Sequence, residues 1–190
     1  MTGQIFFRDF ESQILYFNGM YKLPVAPYPC TFKVVESIGG ELSAKQKMIK
    51  RLSDFKNIIK EEADEIDDII GKIHSSSPVQ LSGKPALLYD ELDFLTDLAD
   101  LLGDIQVYCA SEMAKFGIPH KETLTIIMQS NFSKLGADGK PIYDERGKVQ
   151  KGPGYWKPEP QIKEMLAERL PLYKVGAPIF DKDIVWRKEE

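Results

Sequence analysis

The sequence is poor in the residues that most often carry covalent or metal chemistry. Its 190 residues include only two cysteines, Cys30 and Cys109, and two histidines, His74 and His120. The cysteines form no CxxC pattern and the histidines lack metal-ligand spacing, so neither a disulfide framework nor a thiolate zinc site is predicted. GxxxxGK[ST], GxGxxG and GxSxG are also missing from the sequence. Any catalysis must therefore rest on carboxylates, amides and lysines, with or without a metal ion.

Long hydrophobic runs are missing as well. No run approaches the roughly 18 apolar residues that a membrane helix needs. The N-terminal stretch MTGQIFFRDFESQILYF carries Arg8, Asp9 and Glu11 inside its apolar part, which is not typical of a signal peptide. Hydrophobic residues make up 43% of the chain and charged residues 28%, which is ordinary for a globular protein. We therefore expect a cytoplasmic protein with a single domain over residues 1–190 and no membrane partner.

Basic residues are scarce in the middle of the chain. Residues 61–104 contain 12 acids and two lysines, whereas residues 134–157 contain six bases and three acids. An acidic segment followed by a basic one suits a cation and a polyanion that are bound side by side. A nucleic-acid duplex would need a broad basic face, so it is not an expected partner.

Periodicity and cap signals predict mainly helices, at about residues 5–18, 43–74, 86–116, 121–135 and 159–169. Residues 23–29 are predicted to be extended and residues 75–85 to be a linker. The turn pairs Asp138-Gly139 and Arg146-Gly147 bracket PIYD and predict a small β-hairpin or an ordered loop. We therefore predict an all-α fold, a helical bundle with a small β-hairpin appendage.

The helix over residues 43–74 has a regular apolar stripe, predicted to be its core face, that consists of Leu52, Phe55, Ile59, Ala63, Ile66, Ile70 and Ile73. Glu62 and Glu65 fall beside it, between Ile58 and Ile69, where periodicity asks for apolar residues. A carboxylate there is costly unless it is paired, neutralised or bound to metal, and the alternative is an edge position from which it reaches water. Three further acids lie away from the stripe and are predicted to be solvated: Asp64, Asp67 and Asp68.

The next two helices each carry one polar anomaly. Asp93, Asp97, Asp100 and Asp104 lie together opposite the apolar face of the helix over residues 86–116, which predicts a solvated acidic face unless another helix or subunit covers it.

On the helix over residues 121–135, Asn131 lies on an apolar stripe and Lys134 follows one turn later. Such an amide is either a buried hydrogen-bonded residue or, together with the lysine, a contact for phosphate oxygens.

Three stretches resemble one family. EEADE (Glu61, Glu62 and Glu65) resembles the EExxE motif of the all-α nucleoside triphosphate pyrophosphohydrolases, which include MazG-like proteins, dimeric dUTPases and phosphoribosyl-ATP pyrophosphohydrolases. DLLGDIQVYCASEMAKFGIP resembles the second metal-binding helix of that superfamily. SNFSKLGADGKPIYDERGKVQKGPGYWKPEP resembles the downstream stretch of one MazG-like branch. The resemblance covers about residues 45–170, and we expect the N-terminal helix and the C-terminal tail to pack on that core.

The resemblance implies Mg²⁺-dependent hydrolysis of a nucleoside triphosphate to the monophosphate and diphosphate by a homodimer, with Mn²⁺ as a possible substitute. It makes Glu61, Glu62 and Glu65 metal ligands, with Glu61 or Glu62 also as the catalytic base. The second motif has two registers: Asp100 with Asp104 matches the distance to the helix end, whereas Asp97 with Asp100 matches the i,i+3 spacing. Glu62 and Glu65 are then expected to point inward.

The resemblance also implies a set of substrate-binding residues, namely Asn131, Lys134, Lys148, Lys151 and Tyr155. The base pocket is expected among residues 75–85, the N-terminal helix, and Tyr155 or Trp156. Two alternatives stay open: an enzyme of the same fold that acts on phosphoribosyl-ATP or a non-canonical nucleotide, and a non-catalytic helical interaction module.

Overall fold

The computed structural model of the chain describes residues 9–76, 78–81, 84–87 and 89–170, and it is mostly helical. Its elements in chain order are α1 (Phe10–Met20), α2 (Phe32–Ser37), α3 (Ala44–Ser75), β1 (Pro78–Leu81), β2 (Lys84–Leu87), α4 (Glu91–Lys115), α5 (His120–Phe132) and α6 (Glu159–Arg169). The predicted all-α fold is thus confirmed, whereas the strands β1 and β2 lie before α4 and not in the segment around PIYD for which a hairpin or an ordered loop is predicted. The start of the predicted first helix, residues 5–8, and the tail from residue 171 lie outside the described residues.

The contacts of the chain fall into two compact units. One unit spans Ile38–Glu112 and contains α3, both strands and most of α4. The other combines Met1–Ser37 with Met113–Glu190 and contains the remaining helices. Within the described ranges, no helix is long and apolar enough to span a membrane. The single domain over residues 1–190 stays a prediction.

Helix α3 begins where the sequence predicts. The backbone N–H of Gln46 donates to the Ser43 hydroxyl, and the Gln46 side chain accepts from the Ser43 N–H, which together form a capping box. Two orphan donors of the first turn are satisfied in this way. The helix then continues for 32 residues without a proline.

The segment after α3 corrects the prediction of a linker at residues 75–85. Strands β1 and β2 pair there as an antiparallel hairpin, in a register that places Val79 opposite Ala86. Helix α4 consequently begins at Glu91, five residues later than predicted. Asp90 caps it, because its carboxylate accepts from the Leu92 and Asp93 N–H groups at 2.8 and 2.9 Å.

Two ion pairs show that α3 and α4 run antiparallel. Near the start of α3, Arg51 donates through Nε to Glu112 at 2.8 Å and through a second nitrogen to the other carboxylate oxygen. Near the end of α3, Lys72 Nζ lies 2.7 Å from Asp97. Since residues early in α3 meet residues late in α4, and the reverse, the acidic flank of α3 faces the aspartates of α4.

The predicted core stripe of α3 is wrong for this chain. Leu52, Ile66 and Ile73 are 58%, 45% and 48% exposed, whereas Ile69 on the neighbouring flank is buried. Helix α4 behaves in the same way, since Leu95 is 50% exposed. Periodicity identified the apolar faces of α3 and α4 correctly. The two helices, however, pack against each other through the flanks of these faces.

In the other unit, the predicted extended segment 23–29 packs against the exit of α4. The Ala26 N–H donates to the Ala114 carbonyl at 3.1 Å, and the Cys30 N–H donates to the Phe116 carbonyl at 2.9 Å. Gly117 has a φ of +63°, and a Cβ there would meet the Tyr28 carbonyl oxygen at 2.2 Å. Glycine is therefore required both for the left-handed helix end and for this close approach.

The basic segment, residues 133–157, folds as an ordered loop. Tyr143 and Val149 form an isolated antiparallel bridge, and the predicted turn glycines, Gly139 and Gly147, have φ values of +73° and +76°. The segment is tied to the end of α5, because the Gly152 N–H donates to the Lys134 carbonyl at 2.9 Å. A Cβ on Gly152 would lie 1.9 Å from the Leu135 carbonyl oxygen.

Candidate active site

Glu62 is the buried acid of α3. It is only 5% exposed, although the residues on both sides of it in the sequence are exposed. Its Oε2 atom is shielded from solvent and has no hydrogen-bond partner among the described residues. A buried, unpartnered carboxylate oxygen is unfavourable by itself, so this position is suited to binding a cation or a proton donor.

The surroundings of Glu62 make this position more unfavourable still. Burial raises the pKa of Glu62 above its ordinary value, and the negative charges of Glu65, Asp104, Glu61 and Asp100 raise it further. The charges of the other four predicted metal ligands therefore act on Glu62 within one unit. The cluster consists of acids on two facing helices: Glu61, Glu62 and Glu65 on α3, and Asp100 and Asp104 on α4. The antiparallel pairing of the two helices therefore creates the cluster.

Only one member of the cluster is buried. Glu61, Glu65, Asp100 and Asp104 are exposed, so Glu65 does not share the burial of Glu62 that we expected. The three acids that were predicted to be solvated are indeed exposed: Asp64, Asp67 and Asp68.

An open cavity of about 420 Å³ adjoins the cluster. Its lining consists of Glu65, Asp68, Ile69, Lys72, Asp97 and Asp100. Asp97, from the alternative register, is half-buried and accepts from both Lys72 and the Tyr89 hydroxyl, at 2.7 and 2.8 Å. These two donors lower the pKa of Asp97 and hold its carboxylate at the cavity wall.

Two tyrosines near the acids were missed in the sequence. Tyr108 lies one turn after Asp104 on α4, and its pKa is raised by burial and then by the charges of Glu62 and Asp104. Burial and the hydrogen bond to Asp97 raise the pKa of Tyr89 to about 12. The i,i+4 spacing from Asp104 was a usable signal for Tyr108, whereas Tyr89 follows a segment that had been interpreted as a linker.

The donor set suits a hard divalent cation in its chemistry. Carboxylate oxygens are the ligands that Mg²⁺ prefers, and the orphaned oxygen of Glu62 supplies one that has no other partner in the described structure. Within the described ranges, however, no three Asp, Glu, His or Cys side chains stand in an arrangement that could hold a metal ion. Four of the acids are exposed, namely Glu61, Glu65, Asp100 and Asp104. Their side chains can therefore adopt other staggered rotamers, which turn the carboxylates toward an ion at Glu62.

The predicted substrate-binding residues lie in the other unit and form a local group. Lys134 Nζ donates to Asn131 Oδ1 at 2.7 Å, and Asn131 is exposed rather than buried on an apolar stripe. Lys151 Nζ lies 4.6 Å from the centre of the Tyr155 ring. Lys148 is exposed, and its backbone bonds to Asp144 fix its place in the loop. Asn131, Lys134 and Lys151 thus share the end of α5 and the loop tied to it.

No model of a known protein family matches the sequence, and no curated protein matches it. Solved structures that resemble the chain include a 1.78 Å crystal structure from Exiguobacterium sp. 255-15, of a protein with the provisional name NTP pyrophosphohydrolase. That likeness has a TM-score of 0.42 and 20% sequence identity, and it covers 84% of this chain and 95% of that chain.

Proposed function

We propose that the protein is a Mg²⁺-dependent nucleoside triphosphate pyrophosphohydrolase. It would convert a ribo- or deoxyribonucleoside triphosphate and water into the monophosphate and diphosphate. The observation that carries the proposal is the buried Glu62 carboxylate, which has an unpartnered oxygen and is surrounded by four further acids on two helices. Charge of this density is stabilised by a divalent cation rather than by burial.

The residues that would hold Mg²⁺, or Mn²⁺ in its place, are Glu61, Glu62, Glu65, Asp100 and Asp104. When bound, the metal neutralises charge on the triphosphate and makes its α-phosphorus more electrophilic. The register Asp100 with Asp104 is supported by the influence of both charges on Glu62, whereas Asp97 is engaged with Lys72 and Tyr89.

The chain itself supplies proton transfer. Glu61 or Glu62 accepts a proton from the attacking water, whose oxygen forms a bond to the α-phosphorus. The bond between that phosphorus and the oxygen bridging to the β-phosphate breaks, and diphosphate leaves with the electron pair. Neither a serine nor a cysteine nucleophile takes part in this scheme.

The group at the end of α5 would bind phosphate oxygens of a nucleotide. Asn131 and Lys134 are already in contact, so little side-chain ordering remains for them on binding. Lys148 and Lys151 extend the positive charge along the loop, and the Tyr155 ring offers a face to the nucleobase.

A homodimer forms part of the proposal. Five large apolar side chains on α3 are 44–58% exposed, and three on α4 are 50–72% exposed: Ile49, Leu52, Ile66, Ile70 and Ile73, and Leu92, Leu95 and Leu102. Apolar positions that repeat at helical spacing and face solvent are typical of an interface. A second copy of the chain would cover them by packing helix against helix.

Diphosphate release tests the function. Nucleoside triphosphates of each base and sugar, together with phosphoribosyl-ATP, would be incubated with the protein in Mg²⁺ and in EDTA. We expect release only with the metal, lost in Glu62→Gln and retained in the matched control Asp64→Asn, which alters an exposed acid of the same helix. The substrate that is cleaved fastest identifies the base that the enzyme prefers. Release that continues in EDTA, or in Glu62→Gln, contradicts the proposed site, and no release from any substrate favours the interaction module.

A further inference from the structure

Lys72 is the one basic side chain that lines the acidic cavity. The other lining residues in the described structure are four carboxylates and Ile69. Lys72 was not among the expected substrate-binding residues, which lie at the end of α5 and in the basic segment. It places positive charge in the same unit as the carboxylates.

Lys72 lies two helical turns after Glu65. The separation of seven residues corresponds to about 10 Å along the axis and returns the side chain to nearly the same face of α3. Glu65 therefore lines one part of the cavity, and the ammonium group of Lys72, paired with Asp97, lines another part further along α3. A polyphosphate bound with its α-phosphate at the carboxylates would extend along the cavity toward that ammonium group.

Lys72 can exchange its contact with Asp97 for a contact with another anion. The Lys72 side chain is 51% exposed, and an ammonium group has three protons, one of which points at Asp97. Asp97 also accepts from the Tyr89 hydroxyl at 2.8 Å, so its charge stays hydrogen-bonded when Lys72 turns away. Lys72 can thus move to another anion without leaving an unpaired carboxylate behind.

We propose that Lys72 binds the terminal phosphates of the substrate, the part that leaves as diphosphate. This inference rests on the proposed function and deepens it, since it assigns the leaving group to a residue of α3. Asp97 is then the partner of Lys72 in the absence of substrate, and the phosphate competes with it for the ammonium group. Lysine acts here as a point charge, the role it commonly has toward phosphate.

Binding of diphosphate and tripolyphosphate, measured by isothermal titration calorimetry in Mg²⁺, tests the assignment without any turnover. Lys72→Met should weaken binding of both by about tenfold, the effect of one half-exposed charged hydrogen bond. Lys72→Arg should restore most of it. Lys60→Met is the matched control, because it removes an exposed lysine of the same helix that does not line the cavity. Thermal melts would show that each variant is folded.

Asp97→Asn separates this role from a structural one. If the ion pair merely braces the helices, Lys72→Met and Asp97→Asn have the same effect on binding. If Lys72 binds phosphate, Asp97→Asn releases it and leaves diphosphate binding as tight as in wild type or tighter. Equal losses in the two variants would overturn the assignment, as would a dissociation constant for Lys72→Met equal to that of wild type.

Two further results separate this assignment from the proposed reaction. If no triphosphate is cleaved while diphosphate binding still depends on Lys72, the reaction is refuted and the binding role stands. If triphosphates are cleaved but Lys72→Met changes neither diphosphate binding nor KM, the reaction stands and the role of Lys72 is refuted. If the wild-type protein binds neither diphosphate nor tripolyphosphate, the role of Lys72 is refuted as well.

Discussion

Replacing Glu62 with glutamine should make the metal-free protein more stable. The wild-type carboxylate is buried with an unpartnered oxygen, and leaving such a group unsatisfied costs about 1–3 kcal/mol. Glutamine has a similar shape and no charge, and its amide can donate to the neighbouring carboxylates. For a chain of 190 residues, a gain of 1–3 kcal/mol corresponds to a rise in Tm of about 2–10 °C.

The sign of the pH dependence follows from the raised pKa of Glu62. Because the carboxyl group binds its proton more tightly in the folded protein, its stabilising contribution is complete below the ordinary value of 4.5 and is lost as pH rises through the folded pKa. Wild-type protein in EDTA should therefore lose stability over this range relative to Glu62→Gln. Mg²⁺ should reverse the order, since only the carboxylate binds it.

Differential scanning calorimetry of wild type, Glu62→Gln and Asp64→Asn, in EDTA and in Mg²⁺ from pH 4.5 to 8, measures both effects. Asp64→Asn should follow wild type throughout, because Asp64 is exposed. A Glu62→Gln protein that melts below wild type in EDTA at pH 8 would refute the reasoning, since the carboxylate would then be stabilising without metal. Equal Mg²⁺ stabilisation of the two proteins would refute the metal site.

Three other predictions concern the rest of the chain. Asn131→Ala and Lys134→Ala should each lower kcat/KM at least tenfold and leave the melting curve unchanged, because both side chains lie at the surface of their unit. Ile70→Lys should convert the proposed dimer into monomers in light scattering, since it places charge on an exposed apolar stripe. Arg51→Met should lower the free energy of unfolding by on the order of 3 kcal/mol in chemical denaturation, because the Glu112 carboxylate that it pairs with is only 10% exposed.

Each of these has a clear contrary result. If kcat/KM is unchanged in both Asn131→Ala and Lys134→Ala, the two residues have no role in binding. A wild-type protein that is monomeric at every concentration would remove the proposed interface. An Arg51→Met protein as stable as wild type would mean that the pair does not hold the ends of α3 and α4 together.

The fold could be predicted well where local signals are strong. Ser43 and Gln46 form the capping box expected at the start of α3, and α6 has the predicted bounds Glu159–Arg169. The hairpin of β1 and β2 was missed because its strands are only four residues long and each contains a proline. Short strands gain their stability from pairing, which local composition does not reveal.

The site could be predicted in its residues but not in its packing. Glu62 lies between isoleucines, where an apolar residue is expected, and this position correctly indicated its burial. Such a break in an apolar pattern can be recognised from the neighbouring residues alone. Periodicity does not say which flank of a helix another segment covers, so the exposure of Ile66 and its stripe was not foreseen. Lys72 gave no signal because its partners, Asp97 and Tyr89, come from distant positions in the chain.

The close contact at Gly152 has a consequence for how the basic segment can vary. Its position relative to α5 is fixed by that backbone hydrogen bond, by the space that a missing Cβ leaves, and by the Ser130 hydroxyl, which donates to the Trp156 carbonyl at 2.8 Å. The exposed side chains of Glu145 and Arg146 take no part in these contacts, so they can change in size or charge while the reach of Lys134 and Lys151 stays constant. A single methyl group at Gly152 would displace the whole segment, which makes this residue the least replaceable one in the loop although it has no side chain.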